Sequence, residues 1–114
     1  MIRWRLVLAR AAEQDIAAAL AWSEMRFGRH QARRYEDRIA AALLRLGEGP
    51  DVPGSRPVPG RAGIRRLALR PPARHALFYA AAQDRRIFVL RLLHDAMDAM
   101  QHLSQDDAGE ADPG

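Results

Sequence analysis

The sequence predicts a single α+β domain in which an antiparallel helical hairpin packs on one face of an antiparallel sheet. Two stretches of helical periodicity follow one another across Gly28, and three strand-like stretches joined by short turns occupy the second half of the chain. A further short strand precedes the helices. The length of 114 residues suits one domain with one modest core. We expect this domain to span residues 1–103, followed by an acidic, disordered tail at 104–114.

The N-terminal part of the chain predicts a strand and then a helix. Trp4–Leu8 is a short strand with apolar residues on both faces. The helix covers Ala11–Phe27 and ends at Gly28, because glycine readily adopts the positive φ of a helix C-terminus. Its apolar residues recur at three- and four-residue steps, at Ala12, Ile16, Ala19, Leu20 and Phe27.

A second amphipathic helix is predicted from about Arg29 to Leu46. Its apolar face carries Ala32, Tyr35, Ile39, Leu43 and Leu46. Since only a tight glycine-containing turn separates the two helices, they should form an antiparallel hairpin.

The second half of the chain predicts a connector, three strands and a short helix. Four prolines and five glycines between Gly47 and Gly63 exclude a regular helix or an interior strand there. The strands are Gly63–Arg70, Arg74–Ala82 and Arg86–Leu93, and short turns between them imply a three-stranded antiparallel meander. The third strand is apolar on both sides and should be central. A short C-terminal helix begins near Asp95, which can serve as its N-cap.

Composition and charge narrow the functional classes. The chain has no cysteine, which excludes disulfides and thiolate metal sites. It has no run of the ~18 apolar residues that a membrane-spanning helix needs, and no visible targeting segment, so a cytoplasmic protein without a membrane partner is expected. Every one of the 18 basic residues is arginine, and four acids lie in the last nine residues. The eighteen arginines and the ten remaining acids give residues 1–105 a net charge of +8, which favours an acidic partner or nucleic acid.

The end of the third strand resembles the signature of the ParE toxins, in which an apolar strand carrying an arginine runs into a histidine and a Met-Asp pair. The chain resembles this family from roughly Leu6 to Leu103. The residues that carry the resemblance are Val89-Leu90-Arg91-Leu92-Leu93-His94-Asp95-Ala96-Met97-Asp98; Ala12-x-x-Asp15-Ile16 with Trp22 and Phe27-Gly28; Ala32-x-x-Tyr35 with Ile39, Leu43 and Pro50; Ile64-Arg65-Arg66; and Arg74-His75-x-Leu77-Phe78-Tyr79.

The resemblance implies the toxin of a type II toxin–antitoxin pair, with the fold of the RelE/ParE superfamily. ParE toxins are associated with poisoning DNA gyrase by binding it, and a ParD-like antitoxin blocks them by wrapping a helix and an extended segment across their surface. The resemblance therefore implies no catalytic residue, no cofactor and no metal.

The related RelE toxins offer an alternative, because they cut messenger RNA on the ribosome. In that case His75 would act as the base, and Arg74, Arg66 and Arg91 would stabilise the phosphate. The absence of lysine and the presence of only two tyrosines, Tyr35 and Tyr79, weaken this hypothesis. Fold alone does not separate gyrase from the ribosome as the target.

Five arginines are predicted to bind a partner: Arg65, Arg66, Arg70, Arg74 and Arg91. Trp4 and Trp22 could anchor a partner or lie in the core. A plain nucleic-acid-binding module is disfavoured because such modules interleave surface aromatics with cations, and no sequence-specific nucleic-acid binding is expected. His94, Asp98 and His102 share a helical face that could bind zinc, but capping by Asp95 and Asp98 explains these residues and no metal site is predicted.

Overall fold

A computed structural model describes residues 3–94 and residue 103 of the chain. The α+β class and the helical hairpin predicted from the sequence are confirmed. The elements are β1 (Arg5–Leu8), α1 (Arg10–Phe27), α2 (Arg29–Leu46), β2 (Ser55–Pro57), β3 (Ile64–Ala68), β4 (His75–Ala82) and β5 (Arg86–His94).

The strands form one five-stranded sheet in the order β1-β5-β4-β3-β2. β1 runs parallel to β5, and all the other neighbours are antiparallel. β5 thus lies in the interior of the sheet between β1 and β4, as its apolar pattern predicted. The β4–β5 pairing shifts register between Phe78 and Tyr79, because Leu90 of β5 is one residue more than β4 matches.

The proline- and glycine-rich connector contributes a strand that the sequence did not predict. β2 pairs antiparallel with β3, with Arg56 opposite Arg66 and Pro57 opposite Arg65. It lies at the edge of the sheet, the position at which a proline without an N–H group is tolerated. The antiparallel part of the sheet therefore has four strands where three were predicted.

The helical hairpin packs on one face of the sheet. The first core cluster, between hairpin and sheet, contains Ala12, Ile39, Ala42, Leu46, Val52, Leu67, Leu69, Leu77, Tyr79, Ile87, Val89 and Leu92. Of the apolar residues that recur along α1, Phe27 does not join this cluster and is exposed. Phe27 is the last residue of α1, at the turn of the hairpin, where its ring contacts Trp22 instead of the sheet.

The opposite face of the sheet is also apolar. The second core cluster contains Val58, Ile64, Ala76, Phe78, Leu90, Leu93 and Leu103. Leu103 is helical and buried, whereas the rest of the C-terminal helix predicted from Asp95 lies outside the described residues. No helix within residues 3–94 is long and apolar enough to cross a membrane.

Gly28 forms the whole connection between α1 and α2, with φ 94° and ψ 170°. This region of backbone space is essentially restricted to glycine. A Cβ built on Gly28 meets nothing within 4 Å, so an added side chain costs strain without a clash. We therefore expect Gly28→Ala to lower the free energy of unfolding by about 1–3 kcal/mol. Urea unfolding followed by circular dichroism measures this, and a change below about 0.5 kcal/mol, typical of neutral surface substitutions, would contradict it.

Candidate functional site

A cleft of about 330 Å³ opens between the helical hairpin and the adjoining ends of β4 and β5. Its volume is at the low end of the range for small-ligand sites. A larger depression of about 530 Å³ lies over residues 57–65, and Arg61 and Arg65 are the only polar side chains among its described lining residues. We therefore take the cleft as the candidate site. Its lining residues are Ala19, Trp22, Ser23, Phe27, Gln31, Tyr35, Arg38, Pro72, Ala73, Arg74, His75 and His94.

Three half-buried rings meet in the cleft. The β4–β5 register places His75 opposite His94, and their rings meet edge to face with centroids 5.1 Å apart. The Tyr35 hydroxyl from α2 forms a hydrogen bond with Nδ1 of His75. Burial raises the pKa of Tyr35 above its ordinary value, although the nearby charge of Arg38 opposes this shift. Tyr35 is therefore a neutral phenol at physiological pH.

The rim of the cleft is aromatic and exposed. Trp22 is 55% exposed and Phe27 is 57% exposed, and their rings lie edge to face at 5.7 Å. The Arg26 guanidinium lies 5.6 Å from the centroid of the Trp22 ring. Trp4, by contrast, packs against the first core cluster. Trp22 is thus exposed and Trp4 is partly buried against the core, a distinction that the sequence left open.

Arg65, the first of the five predicted partner-binding arginines, holds the connector to the sheet. Its guanidinium donates to the Pro50 carbonyl oxygen at 3.2 Å and to Ser55 Oγ at 2.9 Å. Asp51 lies 3.8 Å away. The Tyr79 hydroxyl, which is buried, also donates to the Pro50 carbonyl oxygen at 2.7 Å. These contacts fix the start of the connector over the first core cluster.

Arg91 forms a nearly buried ion pair with Asp15 of α1. Its Nε and a terminal nitrogen donate to the two carboxylate oxygens at 2.6 and 2.9 Å, and the side chains are only 13% and 17% exposed. The Leu92 N–H donates to the same carboxylate at 3.0 Å, beyond the end of the β1 pairing. This role of Asp15 was not predicted from the sequence. Arg91 in the middle of an apolar strand indicates such a partner, because a buried charge requires an opposite charge beside it.

The remaining three predicted arginines lie in two places. Arg66 is on the face of the second core cluster, where its guanidinium lies 5.9 Å from the Phe78 ring centroid. Its Nε is buried without a hydrogen-bond partner within the described part of the chain. Arg70 and Arg74 are exposed and flank the Pro71–Pro72 turn, with Arg74 lining the cleft. The five arginines therefore do not form one continuous surface, and their role in partner binding stays a prediction.

The residues of the catalytic alternative are similarly divided. His75 and Arg74 share the cleft, Arg66 lies on the opposite face of the sheet, and Arg91 is held by Asp15. Tyr35 and His94 also line the cleft, and neither was predicted from the sequence to lie there. Asp98 and His102, the other members of the zinc hypothesis, lie outside the described residues.

Comparison with known proteins assigns the family. Residues 6–99 match the sequence model of the ParE toxin of the type II toxin–antitoxin system parDE. The chain is 33% identical to Toxin ParE1 of Caulobacter vibrioides over 96 residues, which cover 84% of this chain and 94% of that protein. In fold it is similar to a solved chain of the chromosomal ParDE toxin–antitoxin system from P. aeruginosa. That match has a TM-score of 0.69 and 20% identity, and it covers 80% of this chain and 95% of the other. The family match over most of the sequence shows that this chain belongs to the ParE toxin family of the RelE/ParE superfamily.

Proposed function

We propose that this toxin inhibits DNA gyrase by binding it, and that a ParD-like antitoxin neutralises it. The observation that carries the proposal is the match to the ParE family over residues 6–99. The net charge of +4 on the whole chain suits an acidic antitoxin segment.

The arrangement of the charged side chains supports inhibition by binding over RNA cleavage. Cleavage at a 2′-hydroxyl needs a base, an acid and cations that converge on one phosphate. Of the four residues in the catalytic alternative, His75 and Arg74 line this cleft, and Arg66 and Arg91 are not among its described lining residues. Arg91 already donates two hydrogen bonds to Asp15, and the Tyr79 hydroxyl donates to the Pro50 carbonyl oxygen.

For the contacts with the antitoxin or the target, we propose Arg66, Arg70 and Arg74. Arg70 and Arg74 are exposed on one turn, so an acidic side chain can reach both without displacing a core residue. Arg65 and Arg91 remain in the predicted set, but their contacts within the chain favour an indirect role that fixes the connector and α1.

Induced expression of the chain alone in bacteria tests the target. We expect double-strand DNA breaks and an SOS response while messenger RNA stays intact, and rescue when the adjacent reading frame, which should encode the antitoxin, is expressed with it. Purified chain added to gyrase should then inhibit supercoiling of a relaxed plasmid. Cleaved messenger RNA with intact DNA would reject gyrase in favour of the ribosome-dependent nuclease.

A further inference from the structure

The cleft combines exposed aromatic faces with a concentration of positive charge. Trp22 and Phe27 lie at its rim, Arg38 and Arg74 contribute guanidinium groups, and Arg26 lies over the Trp22 ring. Nucleic-acid binding was disfavoured from the sequence because binding modules of that kind interleave surface aromatics with cations. The folded chain brings them together from α1, α2 and the turn before β4.

Among the described residues that line the cleft, the charged side chains are basic. No acidic side chain stands among the described residues that line it. Glu24 and Glu36 of the same hairpin instead line a separate depression, together with Arg29 and Arg33. A ligand that enters the cleft meets the guanidinium groups of Arg38 and Arg74, which favours an anion that also carries a planar apolar surface.

We propose that this cleft binds single-stranded nucleic acid, with a base stacked on Trp22 and the backbone phosphate held by Arg38 and Arg74. Bases stack on exposed aromatic rings whatever their sequence, and the planar guanidinium matches the oxygens of a phosphate. The volume of about 330 Å³ suits a single nucleotide unit. An acidic helix would instead require a long groove with apolar anchors over several turns. This binding goes beyond the toxin activity proposed above and requires neither gyrase nor an antitoxin.

Stacking on Trp22 is directly observable, because the chain contains only two tryptophans. The variant Trp4→Phe keeps an aromatic ring beside the first core cluster and leaves Trp22 as the only tryptophan. Titration of this variant with a single-stranded oligothymidylate of about 12 nucleotides, a length within the ~4–16 nucleotide range of single-strand sites, should quench its fluorescence. An equal concentration of the matched duplex should quench it less, since paired bases are not free to stack.

Affinity for the labelled oligonucleotide, measured by fluorescence anisotropy, tests the two contacts separately. Trp22→Ala should weaken binding by roughly 5- to 150-fold, the range expected for loss of one stacking aromatic. Arg38→Gln should weaken binding and reduce the slope of log affinity against log salt by about 0.7, the value for one lost phosphate contact with a single strand.

Arg33→Gln is the matched control for charge. It removes one positive charge from the same helix, but Arg33 lines the other depression of the hairpin. We expect it to leave the salt slope unchanged, whereas an equal loss of slope in both variants would overturn the proposal in favour of diffuse attraction. Leu44→Ala is the matched control for an exposed apolar side chain and should leave affinity unchanged.

Two further results would overturn the proposal. One is the absence of tryptophan quenching and of anisotropy change with either DNA or RNA oligonucleotides at low salt. The other is binding of an acidic peptide of alternating glutamate and tyrosine that depends on Trp22 and Arg38, with no competition by the oligonucleotide. That second result would assign the cleft to a protein partner.

Discussion

Replacement of Asp15 by alanine should lower the free energy of unfolding by about 3–5 kcal/mol, the cost of removing one partner from a buried ion pair. The change leaves the Arg91 guanidinium without its two carboxylate hydrogen bonds and leaves the Leu92 N–H without its acceptor. Since small domains have only about 5–15 kcal/mol of stability in total, a large part of the protein's stability depends on this contact. Guanidinium unfolding monitored by circular dichroism gives the value.

Two companion variants assign the loss to the ion pair. Gln14→Ala removes an exposed neighbour on α1 and should change stability by less than about 0.5 kcal/mol. In the double variant Asp15→Ala with Arg91→Met, the guanidinium that Asp15 neutralises is also removed, so much of the lost stability should return. If Asp15→Ala costs less than about 1 kcal/mol, comparable to an exposed ion pair, the contact is not the buried pair described above.

Leu77→Ala should destabilise the protein by about 2–5 kcal/mol, the range for truncation of a buried leucine. Leu77 has 0% exposure and lies on β4 between Leu67 of β3 and Leu92 of β5, beneath the helical hairpin. Truncation removes three carbon atoms from the middle of the first core cluster and leaves a cavity that the surrounding strands fill only in part. Thermal and urea unfolding of the purified variant measure the loss.

The matched control is Leu44→Ala on α2, where the side chain is 66% exposed. Both variants delete the same atoms, so the difference between them reports mainly burial, with a smaller contribution from the helix and strand propensities of alanine. We expect the Leu44 variant to stay within about 0.5 kcal/mol of the parent chain. Equal effects at the two positions would contradict the packing of the hairpin on this face of the sheet.

Local patterns in the sequence were sufficient for most of the elements. Helical periodicity and Gly28 located both helices and the turn between them, because each depends on contacts within a few residues of the chain. The alternation and the turns of the second half located β3, β4 and β5. Edge strand β2 was not predicted, because its own composition is that of a loop and it is a strand only through its pairing with β3.

The sequence by itself determined the fold class, the helical hairpin and, through its resemblance, the toxin family. Only the tertiary structure decided which charged and aromatic side chains meet. Asp15 and Arg91 are 76 residues apart in sequence, and Tyr35 and His75 are 40 apart, so no local pattern could pair them. Likewise, the sequence correctly predicted that α1 ends at Phe27. Whether the Phe27 ring faces the sheet or solvent depends on the position of the hairpin turn relative to the sheet. Side-chain periodicity fixes a face of one element, whereas a site requires the relative placement of several.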